Sequence, residues 1–359
     1  MPFTDYRVTE LTPENVTAML RSQPRWQDVV VADVDCAPVG TGQMANSYRL
    51  KLTYAQTTDD APSTVVAKIS STDPASRQLA AASAAYQREV FFYQRLAGIA
   101  KTRTPQCYFA EIADDLLGFI LLLEDMGPAQ MVDQLSGCTP DQADLALAQA
   151  ALLHGPSWAH SCLREQTWLP VIDLWHNLAG SIPHITGIWL DRFGAHLRPE
   201  HVSVVEKLPP QIDRWLKTVG DFRSLWHGDF RLDNMLFDAQ DGRTPIAVVD
   251  WQSTSTGPGI ADVSYFLGNS MIEGDRAKYE RDLLGEYHRR LVAGGVENYS
   301  AAQCWLEYRA HALYGLILTI PVSLGVETTE RGDKMFAAMA DRAAHQIVVN
   351  ESYAALQAL

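Results

Sequence analysis

Cysteine is scarce in this chain of 359 residues, and the five present, Cys36, Cys107, Cys138, Cys162 and Cys304, are scattered. With no C-x-x-C pair and no histidine cluster at ligand spacing, neither a zinc site nor a disulfide framework is expected. Positive charge is also in deficit. The 29 basic residues face 43 acidic ones, and a net charge of -14 repels phosphate backbones, so no nucleic-acid partner is expected. A cationic or neutral small molecule suits that balance better. Long apolar runs are missing too. The longest late stretch, Ala312 to Val326, contains Tyr314 and Pro321 and falls short of the roughly 20 residues that span a bilayer. The first ten residues lack the basic start and apolar run of a secretory signal. These absences lead to the expectation of a cytoplasmic protein with no membrane partner. No internal repeat or low-complexity linker interrupts the chain, and a hydrophobic content of 47% is ample for one large or two modest domains.

The most informative segment is Leu225-Trp-His-Gly-Asp-Phe-Arg-Leu-Asp-Asn-Met-Leu-Phe237, followed by Ala247-Val-Val-Asp-Trp-Gln252. Two strand-like runs flank Asp241-Gly242 and predict a hairpin. Asn234 and Asp250 are equidistant from Gly242 in sequence, so strand pairing would set them nearly opposite each other. Two oxygen ligands so placed can share one Mg2+ ion, which keeps its other positions for water and nucleotide phosphates. Asp229, in the loop before the hairpin, is then free to orient an alcohol and take its proton during phosphoryl transfer. Arg231 can set a fixed positive charge beside the transferring phosphate. His227 reads as a holder of the loop, because a base is already present.

Upstream, residues 28 to 125 read as strand, glycine-containing turn, strand, strand, long helix, strand, strand. Gly40 and Gly42 lie in the turn Gly40-Thr-Gly-Gln-Met-Ala-Asn46, where the backbone could approach phosphates closely. In Thr64-Val-Val-Ala-Lys-Ile-Ser70 a single lysine, Lys68, sits within an apolar strand and requires an anion. Asp73 and Pro74 mark a helix start, and the helix is predicted to run to about Ala97. Its apolar stripe is Leu79, Ala82, Tyr86, Val90, Tyr93 and Leu96, and Glu89 falls on that stripe as the sole acidic residue between Pro74 and Ala97. A core-facing carboxylate there needs Lys68 as much as Lys68 needs it.

These motifs resemble the aminoglycoside phosphotransferase and choline kinase superfamily, and the Asp250-Trp251-Gln252 ending is similar to its ecdysteroid-kinase-like branch. The resemblance implies an α+β, two-lobed, protein-kinase-like fold: a small antiparallel-sheet lobe with one long helix, residues 1–125, and a larger, mainly helical lobe, residues 126–359. It further implies ATP, Mg2+ and a small-molecule alcohol acceptor. Lys68, paired with Glu89, would position the nucleotide phosphates. The chain leaving Gly118-Phe-Ile-Leu-Leu-Leu-Glu-Asp125 would be the hinge, with Glu124 and Met126 offering a backbone carbonyl and amide to the adenine edge. Asp262 would brace the catalytic loop from below.

Two departures from the protein-kinase pattern bear on regulation and substrate. Glycine replaces the arginine of His-Arg-Asp, and Trp-Gln replaces the Phe-Gly that follows the metal aspartate. Only twelve positions separate Asp250 from Asp262, too few for a long phosphorylatable segment, and no Ala-Pro-Glu follows, which argues against a protein substrate. Six tryptophans between Trp158 and Trp226 fall where the superfamily carries its acceptor pocket, although each one reads more readily as core. His154 and His160 read as packing or capping residues. The alternative is a catalytically inactive, kinase-like nucleotide-binding protein. The acceptor's identity, the choice between ATP and GTP, and the oligomeric state are not legible in the residues.

Overall fold

The computed structural model describes residues 5–40, 44–169, 173–219, 223–326 and 328–359. The chain divides into two compact units: residues 1–98, 104–128 and 249–253 in the first, and residues 99–103, 129–248 and 254–359 in the second. The short segment that carries Asp250 therefore belongs with the N-terminal unit.

That first unit is built on a five-stranded antiparallel sheet: β1 (Val30–Pro38), β2 (Ala45–Gln56), β3 (Thr64–Ser70), β4 (Cys107–Ile112) and β5 (Phe119–Glu124), in the order β1-β2-β3-β5-β4. The period-two pattern of β2 is realised directly, with Leu50 and Leu52 buried and Lys51 and Thr53 exposed. On β3, Val65, Ala67 and Ile69 enter a core shared with Trp26, Leu50, Ile120 and Leu122. Lys68 consequently points to the other face of the central strand. Helix α1 (Pro13–Arg21) begins at a Thr12 cap that accepts from the Asn15 amide, with Pro13 at its first position.

The helical run expected from Asp73 to Ala97 is made in pieces. Asp73 caps α2 (Pro74–Ala82) by accepting from the Ser76 amide. The chain then breaks at Ala84, which sits at φ 52 and ψ 29 in the left-handed region, before α3 (Ala85–Phe91) and a π turn over Phe92–Leu96. Tyr86, Val90, Tyr93 and Leu96 are buried as the stripe requires, whereas Leu79 is 51% exposed and Ala82 is exposed as well.

The second unit is mainly helical: α4 (Pro140–Ser157), α5 (Cys162–Glu165), α6 (Asp173–Phe193), α7 (Pro199–Glu206), α8 (Ile212–Leu216), α9 (Ile260–Ser270), α10 (Glu273–Ala293), α11 (Ala301–Ala310), α12 (Tyr314–Gly325), α13 (Glu330–Val349) and α14 (Ser352–Ala358). Among the described residues no helix is long and apolar enough to cross a membrane. The helices enclose a core that includes Trp189, Trp215, Trp226, Tyr265, Tyr314 and Ile317. Two small antiparallel pairs complete the unit, β6 (Ser224–Trp226) with β9 (Ser255–Gly257), and β7 (Met235–Ala239) with β8 (Thr244–Val248).

The second pair is the expected hairpin, but its register corrects one detail. Met235 pairs with Val248 and Phe237 with Ile246, so continuation of the ladder would set Asn234 against Val249 instead of Asp250. Both residues also lie outside the strands: Asn234 ends a 3-10 turn over Leu232–Asn234, and Asp250 leaves the extended region at φ 69. Symmetry about Gly242 could not foresee either turn.

Candidate active site

In the second unit the loop between β6 and the 3-10 turn presents Asp229. Its backbone is held from below by Asp262, a fully buried carboxylate in the first turn of α9. Asp262 accepts the His227 amide at 2.7 Å and the Gly228 amide at 3.0 Å, and the His154 Nε2–H at 3.2 Å. His154 Nδ1 meets the Tyr287 hydroxyl at 2.9 Å, so His154 is a buried strut, as its sequence context indicated. The strut leaves no room for a side chain at Gly259, where a Cβ would fall 2.4 Å from the His154 ring. Gly228 takes φ +84, which explains a glycine at the middle of His-Gly-Asp. The Gly228 carbonyl accepts from Tyr314, and the Asp229 amide donates to His227 Nδ1 at 3.2 Å.

The Asp229 carboxylate collects three side-chain donors. Arg231 Nε lies 3.1 Å from Oδ2, Asn234 Nδ2 donates to Oδ2 at 3.0 Å, and the Tyr265 hydroxyl donates to Oδ1 at 3.0 Å. Asn234 also donates to the Asp229 carbonyl at 2.8 Å. With its amide hydrogens engaged in this way, Asn234 keeps its Oδ1, a hard oxygen donor of the kind Mg2+ prefers. A carboxylate offers about four lone-pair positions, so Asp229 retains room for one more hydrogen bond. Its side chain is 24% exposed, open enough to meet a ligand.

Arg231, expected to set a fixed positive charge beside the transferring phosphate, is engaged by neighbouring carboxylates. Its guanidinium pairs with Asp233 as well as Asp229 and touches Met335 Sδ at 3.7 Å. Burial works against its charge, but Asp229, Tyr265 and Asp233 hold the proton and raise the pKa overall. With two carboxylates around it, its charge is already met, and its visible work is to hold Asp229. Sequence reading missed Tyr265 and also Gln134, a buried residue whose Oε1 accepts the Leu232 amide at 3.1 Å. One signal for Tyr265 was present. It stands three positions after Asp262 on a helix, and hence on the same face.

In the first unit Lys68, Glu89 and Asp250 come together. The ammonium lies 2.7 Å from the Glu89 carboxylate and 3.0 Å from Asp250 Oδ1, with Lys68 15% and Glu89 2% exposed at their side chains. Burial disfavours the Lys68 charge, yet Asp250 and Glu89 outweigh it and raise the pKa. Burial pushes Glu89 the other way, above the usual carboxylate range, against the pull of Lys68. Asp250 Oδ2 accepts from Gln252 at 3.2 Å. The segment after Asp250 is pinned: Trp251 stacks on Phe92 at 3.8 Å and 6°, Trp251 Nε1 donates to Thr104 Oγ1 at 2.9 Å, and Arg88 Nε donates to the Gln252 carbonyl at 2.7 Å.

Four further expected positions have less to show. Gly40 takes φ +78 and, among the described residues, has nothing within 4 Å of where a Cβ would stand, whereas Gly42 lies outside the described residues. The Glu124 amide donates to the Gln106 carbonyl at 2.8 Å. Met126 is buried, and neighbouring Asp125 pairs with Arg49 at 2.7 Å.

The sheet unit with its lysine–glutamate pair, and the helical unit with its braced aspartate loop, define a protein-kinase-like fold of the small-molecule kinase type. It is shared with the microcompartment-associated aminopropanol kinase, at 17% identity over 94% of this chain and 98% of that one with a TM-score of 0.54. It is shared also with wild-type aminoglycoside 2'-phosphotransferase-IIIa, solved as its GDP complex, at 14% identity over 93% and 99% of the two chains with a TM-score of 0.53. Residues 40–168 and 195–296 match the ecdysteroid kinase-like family, and the chain belongs to that family. Among curated proteins, acyl-CoA dehydrogenase family member 11 of Gallus gallus is 37% identical over 62 residues, 17% of this chain and 7% of the relative. Acyl-CoA dehydrogenase family member 10 of Mus musculus is 36% identical over 67 residues, 19% of this chain and 6% of the relative. Each match thus spans only a small part of its much longer relative.

Proposed function

We propose that the protein is an ATP-dependent phosphotransferase that moves the γ-phosphoryl group to a hydroxyl of a small molecule. The observation that carries this reading is the Asp229 carboxylate, partly exposed on a loop braced by Asp262, with three donors fixing its direction and one lone-pair position left. Membership of the ecdysteroid kinase-like family supports the phosphotransferase class.

In this reading Asp229 aligns the acceptor hydroxyl and takes its proton as the new O–P bond forms and the bond to the departing diphosphate breaks. Lys68, kept charged by Glu89, supplies a fixed cation for the phosphates. Each unit, taken by itself, offers an oxygen of the kind Mg2+ takes: in the second, Asn234 keeps a carbonyl oxygen, and in the first, Asp250 has a carboxylate that is 27% exposed. When bound, the ion would neutralise charge on the phosphate oxygens. Arg231 keeps Asp229 in its orientation.

The test is transfer of label from γ-labelled ATP, with and without Mg2+, to choline, an aminoglycoside, a macrolide, a sugar and a sterol alcohol. Labelled product that needs Mg2+ and forms about a hundredfold or more slowly in Asp229→Asn, with ATP binding intact, is the expected result. No transfer to any of them, or undiminished transfer by the variant, overturns the proposal.

A further inference from the structure

We infer that Tyr265 is a positioning residue for the transfer reaction, acting through Asp229; this rests on the reading of Asp229 as the proton acceptor. Tyr265 is 2% exposed, and its hydroxyl lies 3.0 Å from Asp229 Oδ1. Burial raises its phenol well above the usual range, and the negative charge of Asp229 raises it further. The phenol donates a hydrogen bond to the carboxylate, and its surroundings favour that protonated form. Its ring is itself held, edge-on to Tyr314 at 5.4 Å, and Tyr314 bonds the Gly228 carbonyl beside Asp229.

The placement on α9 gives the arrangement its logic. Asp262, in the first turn, fixes the loop backbone through the amides of His227 and Gly228. Tyr265, on the same helix face, fixes the carboxylate that this loop carries. One rigid element thereby sets both the position of Asp229 and the rotation of its side chain. Arg231 and Asn234 belong to the loop and the turn after it, so they would move with Asp229 if the loop shifted. Tyr265 is the donor that ties the carboxylate to the body of the unit. Its removal should leave Asp229 present but less often aimed at the acceptor oxygen, which lowers turnover without touching nucleotide affinity.

The experiment is a double-mutant cycle on the full chain, using ATP, Mg2+ and the fastest acceptor among the five alcohols named above. Tyr265→Phe keeps the ring and removes only the oxygen. It is expected to lower kcat about tenfold, the effect of one hydrogen bond to a charged group, with the KM for ATP unchanged. In an Asp229→Asn background the same change is expected to lower kcat less than about twofold, because the partner it orients is gone. Wild-type kcat in Tyr265→Phe, or the same tenfold loss in both backgrounds, overturns the inference while leaving Asp229 in place. Wild-type kcat in Asp229→Asn, or no transfer by the unaltered protein, overturns the underlying reading instead. Melting temperatures of the variants, expected to match the unaltered protein within a few degrees, separate misfolding from mispositioning, and a tenfold loss that coincides with a collapsed melt counts against the inference.

Discussion

At Lys68 burial and pairing pull in opposite directions, and the distances decide between them. Burial alone would drive the ammonium toward neutrality, but carboxylates at 2.7 and 3.0 Å keep it charged and raise its pKa. The sign follows for stability. A lysine with a raised folded pKa stabilises fully below its unfolded value, and that contribution is lost as pH climbs through the folded one. Removing the cation strands Glu89, which is 1% exposed. Lys68→Met is therefore expected to lower unfolding free energy at pH 7 by about 3–5 kcal/mol, measured by urea denaturation, and a further Glu89→Leu should restore most of the loss. A fully stable single variant would show that the pair is immaterial to folding. His311 offers the complementary acid case. Burial, helped by Arg223, lowers its pKa to about 3, and its Nδ1 has no hydrogen-bond partner among the described residues. A depressed histidine leaves stability intact above pH 6.5 and removes it as pH falls toward 3, at about 1.4 kcal/mol per pH unit. Urea midpoints taken across that window should fall less steeply in His311→Gln than in the unaltered protein; parallel curves would sink the assignment.

At the scale of elements, the two breaks in regular structure are the informative places. Ala84, at φ 52, holds the left-handed conformation between α2 and α3, which costs a non-glycine residue roughly 1–2 kcal/mol. Ala84→Gly is expected to raise the melting temperature by a few degrees, because glycine adopts that angle freely; a lower one would mean that the methyl group packs more usefully than the strain costs. The segment after Asp250 is the second place. Trp251→Ala removes the stack on Phe92 and the bond to Thr104, and faster amide exchange confined to residues 249–253 and α3 is the expected outcome.

Much of this was legible in the residues. A lone lysine in an apolar strand and a lone glutamate on an apolar helical stripe need each other, and they meet. The Asp229 to Asn234 spacing could be read because a short loop leaves the chain few ways to run. The break at Ala84 was not legible, since Ser83-Ala84-Ala85 holds no glycine or proline to announce it. Tyr265 was hidden differently. Helix α9 is buried along its whole length, so a phenol there looks like one more core residue. The off-by-one register at Asn234 escaped because strand pairing was extended into residues that turn instead.

At the scale of the molecule, the first unit is closed by a piece of chain from far downstream. Residues 1–128 expressed alone would lack 249–253, leaving Phe92 without its stacking partner and Arg88 without the Gln252 carbonyl. Such a fragment is expected to be protease-sensitive and to melt without a sharp transition, whereas a cooperative melt matching the whole protein would show that the downstream segment is dispensable. The net charge of -14 adds a solution test: binding to duplex DNA at physiological salt should be undetectable by fluorescence anisotropy.

Under the proposed function, the sharing of one ammonium by Glu89 and Asp250 bears on ligand binding as well as folding. A triphosphate arriving without a metal ion would draw Lys68 toward itself and leave Asp250 as a bare anion facing another anion. A metal ion arriving by itself would take hold of Asp250 and leave Lys68 short of a partner. Each guest corrects the imbalance that the other creates, so the two should load as a couple, each tightening the grip on its companion by the same factor.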